Sequence, residues 1–307
     1  MPRRVLITGV DGFTGRHLAR ALSDDPECLV LGTGRRDASA VPLSGYRRCD
    51  MTDAASVREL IAWARPEIVY HLAGLWGDTA AAELENVNIG GFERLRGPLR
   101  AIAGGQPVRL LVIGSAAEIG SVPSEQLPVN EATACRPTTA YGASKHALVQ
   151  AALAEPIGSG LEVVVARPFN LLGAGLSCRL APGAFAAAVR AVASGETDTI
   201  RCGWLDGRRD YLDIGDAVRA YRLLVEQAPA GTLAQVCSGR SLPLRAILMR
   251  LLALAGIDPP VVAAGAPRAG DVADMHGSHA RLSALTGWQP RIDIAASLAA
   301  LLGEVSQ

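Results

Sequence analysis

The chain has 307 residues, 49% of them hydrophobic, and its 30 lysines and arginines are matched by 30 aspartates and glutamates. It is too apolar for a disordered chain and long enough to bury a core without disulfide or metal staples. Zero formal charge excludes the broad field that draws nucleic acid or an anionic membrane, so an anionic ligand has to be caught locally. In chain order the sequence predicts a strand at 4–8, a helix at 14–22, strands at 28–32 and 45–49, and a helix at 54–64. There follow a strand at 67–71, a helix at 80–103, a strand at 108–114, a helix at 140–154 and a strand at 161–166. The strands are continuously apolar, as strands are when helices cover both faces, so the fold class is α/β with a doubly wound parallel sheet. Beyond Pro168 the pattern loosens, with Gly173, Gly175, Pro182, Gly183, Pro243, Pro259 and Pro260 among its breakers, and a smaller C-terminal substrate-binding lobe is expected there. The expected division is 1–168 plus 211–239 for the nucleotide-binding domain and 169–210 plus 240–307 for the lobe. The Ala/Gly/Pro-rich stretch 262–270 reads equally as a linker or as a loop closing over a ligand.

The cysteines, Cys28, Cys49, Cys135, Cys178, Cys202 and Cys237, form no Cys-x-x-Cys pair, which argues against a zinc ribbon or a disulfide framework and fits a reducing cytosol. No apolar run approaches the ~18 residues of a membrane span. The expectation is a cytoplasmic protein with no metal, no membrane and no nucleic-acid partner.

Gly9-Val10-Asp11-Gly12-Phe13-Thr14-Gly15 lies between the first predicted strand and the first predicted helix. Glycines there allow a tight turn and let backbone N–H groups at a helix N-terminus approach a pyrophosphate, the Rossmann arrangement; the alternative is an ordinary glycine-rich turn. An NAD site usually has an acid about 20 residues further on for the ribose 2′-OH, whereas this chain ends its second strand Gly34-Arg35-Arg36. A guanidinium fork matches a phosphate, so Arg35 and Arg36 point to the 2′-phosphate of NADP(H); the alternative is a solvated pair beside Asp37, with Asp37 serving as the acid.

Ser115 follows the strand at 108–114, and Tyr141 and Lys145 stand at i and i+4 of a predicted helix, on one face. An ammonium beside a phenol lowers its pKa and makes Tyr141 an acid/base, with Ser115 placed to bond the same substrate oxygen; the bland alternative is a pair on a helix surface.

With these motifs the sequence resembles the extended short-chain dehydrogenase/reductase family over nearly its whole length. The resemblance implies that Gly9, Gly12, Phe13, Thr14 and Gly15 form the cofactor loop and that Asp50 and Met51, in Cys49-Asp50-Met51-Thr52-Asp53, meet the adenine. Leu72, Ala73 and Gly74 would lie beside the nicotinamide ribose together with Tyr141 and Lys145, and Asn88 looks like the family's helix asparagine. Arg167-Pro168-Phe169-Asn170 resembles the turn into the substrate lobe. The segment around Arg209 resembles the arginine clamp on a nucleotide-sugar diphosphate, with Arg208 and Arg179 as helpers and pairing of Arg209 with Asp210 or Asp213 as the alternative. Arg268-Ala269-Gly270-Asp271-Val272 and Gly287-Trp288-Gln289-Pro290 match late motifs of the family. Arg268 and Asp271 are thereby placed with Ser115, Asn170, Arg179 and Arg209 at the substrate, and Trp288 in packing.

The family contains dehydratases, epimerases and reductases. A 4,6-dehydratase has an acidic residue after the catalytic hydroxyl, and the GDP-fucose-forming enzymes have a cysteine two residues after it; here those places hold Ala116 and Ala117. Glu118 is one position too late for either and is expected as a substrate contact or a local hydrogen-bond partner. Reduction of a keto sugar and 4-epimerisation through a transient ketone remain, and Arg35 and Arg36 favour reduction with NADPH. Resemblance to GDP-4-keto-6-deoxymannose reductases implies GDP-rhamnose as product, with dTDP or UDP equally open as the base, and the family resemblance implies a homodimer. The alternatives are a 4-epimerase with tightly held NAD and a sensor that binds dinucleotide without turnover.

Overall fold

The computed structural model describes residues 2–265 and 272–303. The first half runs β1 (Arg3–Thr8), α1 (Phe13–Ser23), β2 (Cys28–Gly34), β3 (Gly45–Arg48), α2 (Ala54–Ala64), β4 (Ile68–His71), α3 (Ala81–Leu84), a π-helical turn (Glu85–Ile89), α4 (Gly90–Ile102), β5 (Val108–Ile113), α5 (Ala140–Leu153) and β6 (Leu161–Pro168). The second half adds β7 (Asn170–Leu172), α6 (Ala181–Ala193), β8 (Ile200–Cys202), β9 (Arg208–Asp213), α7 (Ile214–Gln227), β10 (Thr232–Val236), β11 (Ser241–Pro243), α8 (Leu244–Ala255), β12 (Val261–Ala263), β13 (Asp274–Met275), α9 (Ala280–Thr286) and α10 (Ile294–Gly303).

Seven strands form a parallel sheet in the order β10-β6-β5-β4-β1-β2-β3. Side chains alternate between its faces as a pleated strand requires. Val5 and Ile7 enter a core with α1 and α7, while Leu6 joins α2, α4 and α5 on the other side. Both faces are covered, so the inner strands are largely apolar, while the edge strand β3 is polar and part-exposed, and the ligand-accessible backbone is confined to the strand ends. In register, Thr8 lies level with Thr33 and His71, His71 with Val112, and Ile113 with Ala166. The carboxyl ends of five strands therefore finish together, at the edge where the order turns back between β1 and β4 and where open α/β sheets bind ligands.

The lobe is built on β9, which pairs with β7, β11 and β13, and on the β8–β12 pair, with α6, α8 and α10 enclosing a separate core around Phe185, Leu248 and Leu298. The segment expected as a linker starts with β12, and residues 266–271, with Arg268 and Asp271, lie outside the described residues.

Two expectations change. The helix at 80–103 is interrupted by the π-helical turn, which points Asn88 into the interior with no exposed surface. The α9 region, assigned by sequence to the lobe, packs instead with the nucleotide-binding core: Leu282 and Trp288 join the cluster of α1 and α7, and the Trp288 indole N–H donates to Asp216 O at 3.0 Å. Trp288 is thus a packing residue, as expected. Replacing it with Ala removes a fully buried side chain and is expected to destabilise the protein by about 3–5 kcal/mol, read from urea denaturation.

Candidate active site

The glycine loop is shaped by what it excludes. Gly9 has φ +67°, and a Cβ on it would lie 2.8 Å from the backbone of Ala73 in the loop after β4. One on Gly15 would lie 2.4 Å from the Gly9 carbonyl oxygen. Gly12 is the N-cap of the eleven-residue α1, so the first N–H groups of that helix open onto the sheet edge. Below the loop, Thr8 Oγ1 accepts from Ala73 N at 3.1 Å and pairs with His71 Nδ1 at 2.9 Å. Burial, with the Lys145 ammonium nearby, lowers the His71 pKa to about 3, so its ring is neutral. Phe13 packs edge-on against His17, whose Nε2 lies 2.9 Å from Ala174 O in the lobe.

At the end of β2, Arg35 and Arg36 are exposed, and neither is in an ion pair among the described residues. Asp37, the alternative ribose acceptor, is held by Arg48 at 2.9 Å. Asp50 binds Thr52 through both the backbone N–H and the hydroxyl at 2.8 Å, which lowers its pKa, and Arg35 adds to that from a distance. Met51 is buried against the helical layer. A cradle that side chains would fill, a helix N-terminus and two uncommitted guanidinium groups fit a phosphorylated dinucleotide.

Ser115, Tyr141 and Lys145 come together across β5 and α5. The Ser115 and Tyr141 side chains hydrogen-bond each other, and Ser115 Oγ also accepts from Ala117 N at 3.2 Å. Lys145 is buried, and its Nζ donates to Ile113 O at 2.8 Å and lies 3.7 Å from where Gly74 would carry a Cβ. Asn88 fastens α5 to the loop after β4: its amide accepts from Leu75 N at 2.8 Å and donates to Leu75 O at 3.1 Å and to Ser144 Oγ at 3.0 Å. The expected lowering of the Tyr141 pKa does not occur. Burial raises it, Glu118 raises it further, and the Ser115 hydroxyl only partly offsets them, while the Lys145 ammonium is spent on the Ile113 carbonyl. Burial in turn lowers Lys145 to about 8, against a smaller upward pull from Glu118.

Of the two readings of Glu118, the structure shows the local hydrogen-bond partner. It is fully buried, Oε1 accepting from Ser115 N at 2.7 Å and Oε2 from Arg167 Nη2 at 2.8 Å. Arg167, which the sequence offers only as part of a turn motif, thus reveals itself as the partner of a buried acid.

In the lobe, Asn170 Nδ2 donates to Asp210 O at 3.0 Å, and Arg209 Nη1 donates to Arg208 O at 2.8 Å and Val272 O at 2.5 Å. The carboxylates once considered for Arg209 are engaged elsewhere: Asp210 accepts from Ser238, Gly239 and Gly277, and Asp213 caps α7 and accepts from Ser297. Arg179 is exposed and stacks over the Trp76 ring at 4.9 Å, joining the loop after β4 to the entry of α6. Sequence reasoning passed over Trp76; its signal was an aromatic residue beside a glycine just past a strand end.

A profile of the NAD dependent epimerase/dehydratase family matches residues 5–237. The chain belongs to that family. It is 30% identical to GDP-6-deoxy-D-mannose reductase of Pseudomonas aeruginosa over 99% of its own length and 97% of the relative's. UDP-glucose 4-epimerase of Streptomyces lividans is 28% identical, over 96% of this chain and 94% of the relative. Among solved structures, RMD from Pseudomonas aeruginosa complexed with NADPH superposes with a TM-score of 0.86 at 30% identity, over 98% of this chain and 97% of that one. The protein is an enzyme of this family, and no helix among its described residues is long and apolar enough to cross a membrane.

The depressed Lys145 value has a sign. Between about 8 and the ordinary 10.5 the unfolded chain keeps a proton that the folded one has released, so stability rises with pH across that window. The unfolding free energy of the wild type, measured against Lys145→Met, is expected to climb from pH 8 to 10; a constant difference would mean that Lys145 titrates as an ordinary lysine.

Proposed function

We propose that the protein reduces the C4 ketone of a nucleotide-diphospho-4-keto-6-deoxyhexose with NADPH, taking GDP-4-keto-6-deoxymannose to GDP-rhamnose. The observation that carries this reading is the Tyr141 phenol, hydrogen-bonded to Ser115 at the end of β5 and kept protonated by burial. A proton donor in that state suits reduction. Positions 116 and 117, where elimination would need an acid and base, hold alanines.

Gly9, Gly12 and Gly15, the N–H groups of α1, Arg35 and Arg36 would hold the dinucleotide, with Asp50 and Met51 near the base and Leu72, Ala73 and Gly74 along the crevice. A nicotinamide dinucleotide, when bound, supplies hydride transfer. Ser115 orients the ketone oxygen and Tyr141 gives it the proton; Lys145 keeps positive charge beside the ribose side of the crevice. Asn170, Arg179 and Arg209, with Arg268 and Asp271, would receive the nucleotide sugar, arginine forks meeting a diphosphate that the neutral chain cannot attract at long range. The reductase relative and the NADPH-complexed structure support this choice over the epimerase relatives.

Adding GDP-4-keto-6-deoxymannose to enzyme and NADPH should lower NADPH absorbance and yield a product whose NMR couplings are those of rhamnose. Interconversion of C4 epimers without net NADPH use would make it an epimerase, and no change with GDP-, dTDP- and UDP-linked keto sugars would make it a sensor. Tyr141→Phe should cost at least about 10²-fold in kcat with NADPH affinity nearly unchanged. Replacing Arg35 and Arg36 by neutral residues should raise KM for NADPH by at least about tenfold, the loss of one charge-assisted contact, and leave NADH use intact. Equal damage with both cofactors would give the pair a structural role.

A further inference from the structure

Behind Ser115 lies a carboxylate with no exposed surface and two assignments. Glu118 Oε1 accepts from the Ser115 N–H at 2.7 Å, while Oε2 accepts from Arg167 Nη2 at 2.8 Å and Nε at 3.2 Å. Arg167 is itself 2% exposed, so both charges are out of water, and each depends on the other. The acid reaches Ser115 across Gly114: a Cβ there would lie 2.3 Å from Oε1, so the site has room for this bridge only because position 114 carries no side chain. His146 Nδ1 stands 4.0 Å from Oε2 and Cys135 Sγ accepts from Arg167 Nη2 at 3.5 Å. Glu118, Cys135 and His146 offer atoms within 4.8 Å of one another that could ligate a cation, yet the Arg167 guanidinium already supplies the positive charge there. The arrangement is an ion pair with a third arm, and that arm is the main chain of Ser115.

Beyond Ile113 the sheet no longer bonds the Ser115 N–H, and Ser115 departs in an extended conformation at φ −162° into the short helical turn 116–118. The Glu118 carboxylate closes that turn, and the Ser115 hydroxyl is thereby presented to Tyr141.

We infer that Glu118 is a positioning residue: by bridging the Ser115 N–H to the Arg167 guanidinium it fixes the backbone from which the Ser115 hydroxyl meets Tyr141, and it sets a negative charge next to Tyr141 and Lys145. The direction of both titrations agrees, since Glu118 raises Tyr141 and Lys145 alike. The kinetic consequence rests on the keto-sugar reduction proposed above, so the test also carries a readout that needs no substrate.

The experiment is a cycle of Ser115→Ala, Glu118→Gln and the double variant, with thermal melts to establish folding, NADPH binding by fluorescence, and a pH titration of Tyr141 by NMR of 13C-labelled tyrosine, identified with Tyr141→Phe. Glu118→Gln should lower kcat at least about tenfold while the Kd for NADPH stays within about twofold, and in the Ser115→Ala background it should cost almost nothing more, because the two act through one hydroxyl. Loss of the negative charge should move the Tyr141 titration to lower pH. Glu118→Asp keeps the charge and Arg167 but is one methylene short of spanning both partners. It should leave the titration high, lower kcat, and lose that effect in the Ser115→Ala background. If Glu118→Gln does not fold, Glu118→Asp decides by the same non-additivity. Additive losses, unchanged kcat, or equal losses of kcat and NADPH binding would each overturn the inference. Should the wild type turn over no keto sugar, the proposed function fails, and the titration alone judges Glu118: an unmoved Tyr141 in folded Glu118→Gln overturns it.

Discussion

The missing side chain at position 9 is the constraint on which the ligand edge of the molecule depends. With a Cβ there 2.8 Å from the Ala73 backbone, the loops after β1 and β4 could not lie side by side at the point where the strand order turns back. Because they do, Thr8 reaches Ala73 N and His71, the loop after β4 is held by Asn88, and Asn88 in turn touches Ser144 on the helix that carries Tyr141 and Lys145. A chain of short polar contacts thus runs from the end of β1 beside the glycine loop to the helix that carries Tyr141 and Lys145.

The electrostatics beneath that edge are arranged by burial more than by proximity. Lys145 stands on the right face of α5 to serve Tyr141, yet its ammonium is committed to a strand-end carbonyl, and the phenol keeps its proton. Glu118, whose negative charge raises the pKa of both groups, is paired with Arg167 without reaching solvent. A buried pair of this kind contributes little net stability, because desolvation offsets its attraction, but it tolerates few geometries, which is what a positioning device requires.

The fold and the local setting of the glycine loop and of Tyr141 and Lys145 were largely legible in the sequence. Apolar strands alternating with alanine-rich helices, Gly9-Gly12-Gly15 between the first two, and Tyr141 with Lys145 one turn apart each constrain local structure strongly, and local constraints are what a sequence displays. What could not be read depends on contacts between distant residues. Asn88 interrupts a helix because it must face inward to Leu75 and Ser144, a demand that helical periodicity does not encode. Glu118 looks like a site acid until Arg167, 49 residues on, is found against it. Trp288 joins the core of α1 and α7, although its neighbours in sequence were expected in the lobe.

The placement of Trp288 has a consequence for how the chain comes into being. The glycine loop leaves the ribosome long before Trp288, yet the cluster that α1 shares with α7 is completed by that indole, which donates to Asp216 O on α7. The core on this face of the parallel sheet is therefore completed only after the segment around Trp288 has been made. A nascent or truncated chain that stops short of residue 288 leaves α7 without its indole partner, and exposed apolar surface is a feature by which chaperones and proteases recognise unfinished protein.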